Sequence, residues 1–79
     1  SLGSMKHVER VTAVIEREDD GFVALCPELD IASQGDTIEE AKANLEEALS
    51  LFFETAPPTE VAERLRPEVY VTALDIAVG

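Results

Sequence analysis

Apart from its carboxylates, this chain has few side chains able to do chemistry. Seventeen Asp and Glu stand against six Lys and Arg, with one histidine (His7), one cysteine (Cys26) and no tryptophan. A two-metal nuclease centre needs several carboxylates converging to hold ions about 3.5–4 Å apart. The spacing here does not supply that cluster: Glu9 and Glu16 stand beside Arg10 and Arg17, Asp19 and Asp20 fall in a turn, and Asp75 is alone near the C-terminus. All of these read as solvated charge. His7 lies two residues after Met5, where chains are loosely held, so no Ser-His-Asp or Cys-His arrangement is expected. Cys26 ends an apolar run before Pro27, with no Lys, Arg or His close in sequence to lower its pKa. That describes a small buried hydrophobe, not a nucleophile. Gly21 and Gly35 are too far apart to form a phosphate-cradling loop, and each serves a turn. No catalytic residue, cofactor site or metal ligand is therefore expected, and a lone cysteine forms neither an internal disulfide nor a cysteine-based zinc site.

The elements that would carry these residues follow from periodicity. Between Val8 and Arg17, Val11, Ala13 and Ile15 recur every second residue, which is the pattern of a half-buried strand. Glu18-Asp19-Asp20-Gly21 interrupts it, with Gly21 expected at positive φ, before Phe22 to Cys26 resume an extended run. Pro27 removes a backbone donor and ends that strand. Glu28 to Asp30 connect it to a short third strand, Ile31 to Gln34, closed by Gly35.

Thr37-Ile38-Glu39-Glu40 has the form of a capping box. The Thr37 hydroxyl accepts from the N–H of Glu40, whose carboxylate reaches back to the N–H of Thr37. From there Ile38, Ala41, Leu45, Ala48, Leu49, Phe52 and Ala56 recur at helical spacing, opposite Glu39, Glu40, Lys42, Glu46, Glu47 and Ser50. Pro57-Pro58 stops this long helix, Thr59 is placed to cap a short second one through about Leu65, and Pro67 opens a last strand. In that strand Val69, Val71 and Ala73 alternate with Tyr70, Thr72 and Leu74. The expected fold class is α+β, in the order β-β-β-α-(short α)-β: a small sheet of three to four strands with one long amphipathic helix packed on one face. The other face keeps Val8, Val14, Val23 or Val71 and needs cover, for which self-association as a homodimer or higher homo-oligomer is the simplest answer. Phe52 and Phe53 are adjacent and point about 100° apart on a helix, so only one can share the core of Leu45 and Leu49. Phe53 and Tyr70 are the candidates for a contact between copies, with packing beneath the short second helix as the alternative.

Seventy-nine residues make one domain, spanning 5–79 once Ser1 to Ser4, which resemble a cloning remnant before Met5, are set aside. So short a domain leaves roughly 40% of its unfolded surface exposed after folding, and a partner would add to its margin. No apolar stretch approaches the roughly 20 residues of a membrane span, and neither an export signal nor an anchor is evident, so a reducing cytoplasm is the expected setting. A net charge of −11 repels phosphate backbones and attracts basic surfaces, which argues against nucleic-acid binding by this chain.

Three blocks in register, Cys26-Pro27-Glu28-Leu29, Ser33 to Ala41 and Asn44 to Leu49, resemble the HicB-like antitoxin family, and the Asp20-Gly21-Phe22 turn fits the same pattern. The resemblance covers about Val11 to Phe53. It implies a small β-β-β-α-β domain, a reduced relative of the ribonuclease H fold, that pairs with HicA toxins, which are small basic ribonucleases acting on mRNA. Pro27, Gly35, Thr37 and Glu40 read as the motif residues that determine the fold.

Two departures qualify the likeness. Asp30-Ile31-Ala32 stand where the family commonly has a Pro-Gly-Cys-like turn. Typical members also continue into a C-terminal helix-turn-helix or ribbon-helix-helix domain, whereas this sequence ends at Gly79. The reading is a stand-alone N-terminal HicB domain, and operator binding is not carried over. The implied function is non-catalytic: neutralisation of a small basic HicA-type ribonuclease by occlusion, with Asp19, Asp20, Glu28, Leu29, Asp30, Glu39 and Glu46 as candidate contacts. The alternatives are an orphan self-associating scaffold module and a relict metal-dependent nuclease.

Overall fold

The alternation of the first half becomes a three-stranded antiparallel sheet in the computed structural model, which describes residues 8–65 and 68–79. Strands β1 (Val14–Glu18), β2 (Gly21–Cys26) and β3 (Ile31–Gly35) lie in the order β1-β2-β3. Their register sets Ile15 opposite Ala24 and Cys26 opposite Ile31. Since side chains alternate across a sheet, these residues share one face, and Ala24 and Cys26 are fully buried there. The readings made for Ser1 to Ser4, Met5, His7 and Pro67 lie outside the described residues.

Helix α1 (Ile38–Thr55) covers that face with the stripe Ala41, Leu45 and Leu49, which joins Ala24, Cys26 and Leu29 in one core. It lies chiefly over β3 and β2 and barely reaches β1. The Thr37 hydroxyl accepts from the N–H of Glu40 at 3.0 Å, as a capping box requires. The return bond closes one residue earlier than expected, because the Glu40 carboxylate accepts from the N–H of Asp36 and not from that of Thr37.

Helix α2 (Pro58–Leu65) also starts earlier than its expected cap. Pro58 occupies the first turn, where a missing N–H leaves nothing unpaired, and the Pro57 carbonyl accepts from Val61 at 3.0 Å. Thr59 therefore sits inside the helix. The Arg64 guanidinium of α2 donates to the Leu29 carbonyl and lies 5.3 Å from the centre of the Phe52 ring, fastening α2 to both the sheet connection and α1.

The glycines depart from expectation in an informative way. Gly21 does not adopt positive φ; the left-handed residues are Asp19 (φ 53) and Asp30 (φ 55), one in each strand connection. Asp tolerates that region better than most residues because its side chain bonds locally. Gly21 is instead required by proximity, since a Cβ there would stand 2.7 Å from the Gly35 carbonyl oxygen. Gly35 in turn is pressed by the start of α1, where a Cβ would meet the Ala41 nitrogen at 2.5 Å.

The chain is thus an α+β fold with strands first and a long helix after them. Two expected strand segments are not sheet. Residues 8–13 precede β1 and belong to no strand, although Val11 packs against the core. Residues 68–79 belong to no strand, and Tyr70, Leu74 and Val78 are 82%, 78% and 89% exposed. Of the residues expected on the uncovered sheet face, Val14 and Val23 are there, joined by Leu25, whereas Val8 and Val71 lie in no strand.

Candidate functional site

The turn between β1 and β2 and the start of α1 come together at one end of the sheet. Phe22 pairs with Gly35 across β2 and β3, and Arg17 pairs with Phe22 with its guanidinium 4.7 Å from the ring centre. The close passage of Gly21 against Gly35 brings the hairpin tip onto the loop that enters α1. Glu18, Asp19 and Asp20 on one side and Asp36 and Glu40 on the other therefore rim one groove of about 480 Å³. Asn44 braces its floor by donating to the Gln34 carbonyl at 2.7 Å. Glu39 and Glu40 stand in the first turn of α1, where the positive end of the helix dipole offsets part of their mutual repulsion. The result is an open, mainly polar, strongly acidic surface.

The candidate contacts divide among three places. Asp19 and Asp20 rim the acidic groove, and Glu39 is exposed at the helix start nearby. Asp30 is exposed at the opposite end of the sheet, about 20 Å away along the six residues of β2. Glu46 lies on the flank of α1, where it borders a second groove with Val8, Val11, Leu49 and Phe53.

Two candidates have other work. Leu29 is fully buried, so its side chain belongs to the core and is not a surface contact. Glu28 is half-buried and tied down: the Thr12 N–H donates to its carboxylate at 2.9 Å and the Thr12 hydroxyl at 2.7 Å. Burial works against the charged form of Glu28. Bonds from the Thr12 hydroxyl, the backbone N–H groups of Glu28 and Thr12 and the Cys26 thiol outweigh it, so the pKa falls below the usual carboxylate value. Glu28 thereby fastens the segment before β1 to the connection after β2. Sequence reasoning missed this role because its partner is sixteen residues away, and Thr12 falls on the same alternate positions as Arg10 and Glu16.

Cys26 is buried, and desolvation raises its pKa; its Sγ lies 3.5 Å from Glu28 Oε1 as a weak donor. Phe53 packs edge-to-face on Phe52, with ring centres 5.4 Å apart, and lines the second groove, while Phe52 takes the place beneath α2. Tyr70 is exposed, and its hydroxyl donates to Glu68. Among the described residues no three His, Cys, Asp or Glu side chains are grouped to hold a metal ion, and no helix is long and apolar enough to cross a membrane.

Three curated proteins, each described as a UPF0150 protein, are similar to the chain. One from Synechocystis sp. is 54% identical over 46 residues, covering 56% of this chain and 64% of its own length. A second from the same organism is 44% identical over 52 residues, covering 63% of this chain and 66% of its own length. The aligned parts thus span slightly less than two thirds of those two relatives. A third, from Helicobacter pylori, is 32% identical over 68 residues, covering 85% of this chain and 94% of its own length. No family model matches the chain, and no solved structure does.

Proposed function

Because the chain belongs to the UPF0150 family, whose members resemble HicB proteins, we propose that it is an antitoxin-type binding module. In this reading it neutralises a small basic HicA-type ribonuclease by covering the surface with which that enzyme holds RNA. The observation that carries the proposal is the rim of five carboxylates where the hairpin tip meets α1, on a chain of net charge −11. Such a field draws in a basic partner and accelerates encounter more than it deepens the final affinity. Occlusion asks for shape and charge and for no reacting group. In this reading Asp19, Asp20 and Glu39 make the contacts, together with Asp36 and Glu40, which rim the same groove as Asp19 and Asp20.

The test co-expresses this protein with the product of the adjacent reading frame, which on this reading is a short, Lys-rich protein with one histidine. Co-expression relieves the neighbour's growth arrest, and the two co-purify. Asp19→Lys combined with Asp20→Lys weakens binding at least tenfold and flattens its salt dependence, while Glu46→Lys, on the far flank, weakens it less. Unrelieved growth arrest, or affinity indifferent to the paired reversal, would refute the reading. The alternative of a self-associating module without a toxin partner draws support from the exposed apolar segment at 68–79.

A further inference from the structure

The C-terminal segment has the sequence of a strand and no sheet to join. From Glu68 to Val78 it is rich in β-branched and aromatic residues and contains neither Pro nor Gly. Its alternation places Tyr70, Leu74, Ile76 and Val78 on one side, and these are 82%, 78%, 71% and 89% exposed. An unpaired apolar strand of this kind is a liability unless it pairs.

The same molecule offers a place to receive such a strand. The order β1-β2-β3 leaves the outer edge of β1 without a strand neighbour among the described residues, and α1 scarcely covers that side. The segment that leads into β1 borders a largely apolar groove of about 1030 Å³ walled by Val8, Val11, Leu49 and Phe53. Residues 68–78 span about 36 Å when extended, more than the length of the five-residue β1.

We infer that the C-terminal segment is an exchange strand. In a symmetric dimer of this chain, residues 68–78 of each copy lie along β1 of the other and set Tyr70, Leu74 and Ile76 toward its groove beside Leu49 and Phe53. The segment does not occupy the groove of its own copy, since its apolar side chains stand in solvent. A twofold axis satisfies both strands and both edges at once and closes the assembly at two copies. The area suffices. At roughly 60–120 Å² for each aliphatic side chain and about 150 Å² or more for a tyrosine, each strand carries on the order of 500 Å² of apolar surface. Two strands with their receiving grooves reach the roughly 1,200–2,000 Å² of a stable interface. This inference does not depend on the antitoxin reading.

Sedimentation equilibrium of the full chain tests it. The expected species is a dimer. Leu74→Asp combined with Ile76→Asp, at positions outside the core, raises the dimer dissociation constant at least tenfold while far-UV circular dichroism stays unchanged. Ser50→Arg, at an exposed position on the groove, does the same. Mixing the two variants restores association, because one sound strand then meets one sound groove, which no contact lacking that pairing predicts. A monomeric full chain would overturn the inference, including one whose C-terminal amides resist hydrogen exchange because the segment folds back on its own copy. So would a dimer unmoved by the double substitution, or the absence of rescue on mixing.

Discussion

Gly35→Ala is the substitution whose effect the geometry fixes most closely. The added methyl would stand 2.5 Å from the Ala41 nitrogen and 2.8 Å from both the Glu40 carbonyl carbon and the Glu40 Cβ. Two of these atoms are main chain within the first turn of α1 and have no rotamer by which to withdraw. Gly35 has no positive φ, so alanine also gains about 0.4–1 kcal/mol by restricting the unfolded chain. Overpacking costs about 1–3 kcal/mol, and a collision with backbone falls at the top of that range. The net expectation is a loss of about 2–3 kcal/mol. For a chain of this length the whole stability is roughly 4–12 kcal/mol, and each kcal/mol moves the melting temperature by about 4–8 °C. Urea unfolding followed by far-UV circular dichroism measures the change, at one fixed protein concentration because association stabilises by mass action. Gly21→Ala, with one contact at 2.7 Å to the Gly35 oxygen, is expected to lose less. A Gly35→Ala midpoint equal to or above that of the parent chain would refute the view that α1 presses on β3 at this residue.

The Thr12–Glu28 clasp gives a pH-dependent expectation. Glu28 ionises more readily when folded, so its contribution is complete above the ordinary carboxyl range and fades as pH falls through the lowered folded value. Glu28→Gln should cost about 1–2 kcal/mol at neutral pH, and the gap from the parent chain should narrow in melts carried to progressively lower pH through and below the carboxyl range; a gap constant with pH would exclude the clasp as its source. Cys26, buried and held above the usual thiol range, should react with iodoacetamide only as fast as the domain opens. Its modification rate should rise in step with unfolding in urea, and rapid modification of the native protein would contradict its burial.

Much of this fold was legible in the residues. The Phe22 to Cys26 run, the Thr37 cap and the stripe Ala41, Leu45 and Leu49 each answer to a local rule, whether strand alternation, a hydroxyl accepting three residues on, or helical spacing, and each stands where the rule puts it. What escaped depended on distant parts of the chain. Gly21 looked like a residue chosen for its φ, yet it is required by the neighbouring strand end; the left-handed conformation fell to Asp19. Leu29 follows Glu28 in a connection and read as surface, because nothing local announces that it closes the core against α1. Residues 68–79 alternate as a strand does, but alternation specifies only a readiness to pair, and within one copy no edge takes them. Asp19 and Asp20 were singled out by charge alone. Their association with Asp36 and Glu40 came from the packing of two turns that sequence separation kept apart.

The contact of Gly21 with Gly35 has a consequence for recognition. Where two main chains touch with no side chain between them, the hairpin tip and the helix entry behave as a single stiff bracket, and the carboxylates mounted on it keep their mutual spacing before any visitor arrives. Association there forfeits little backbone freedom. For the basic partner proposed above, selectivity would then fall to the visitor, which must present its cations at the bracket's own intervals.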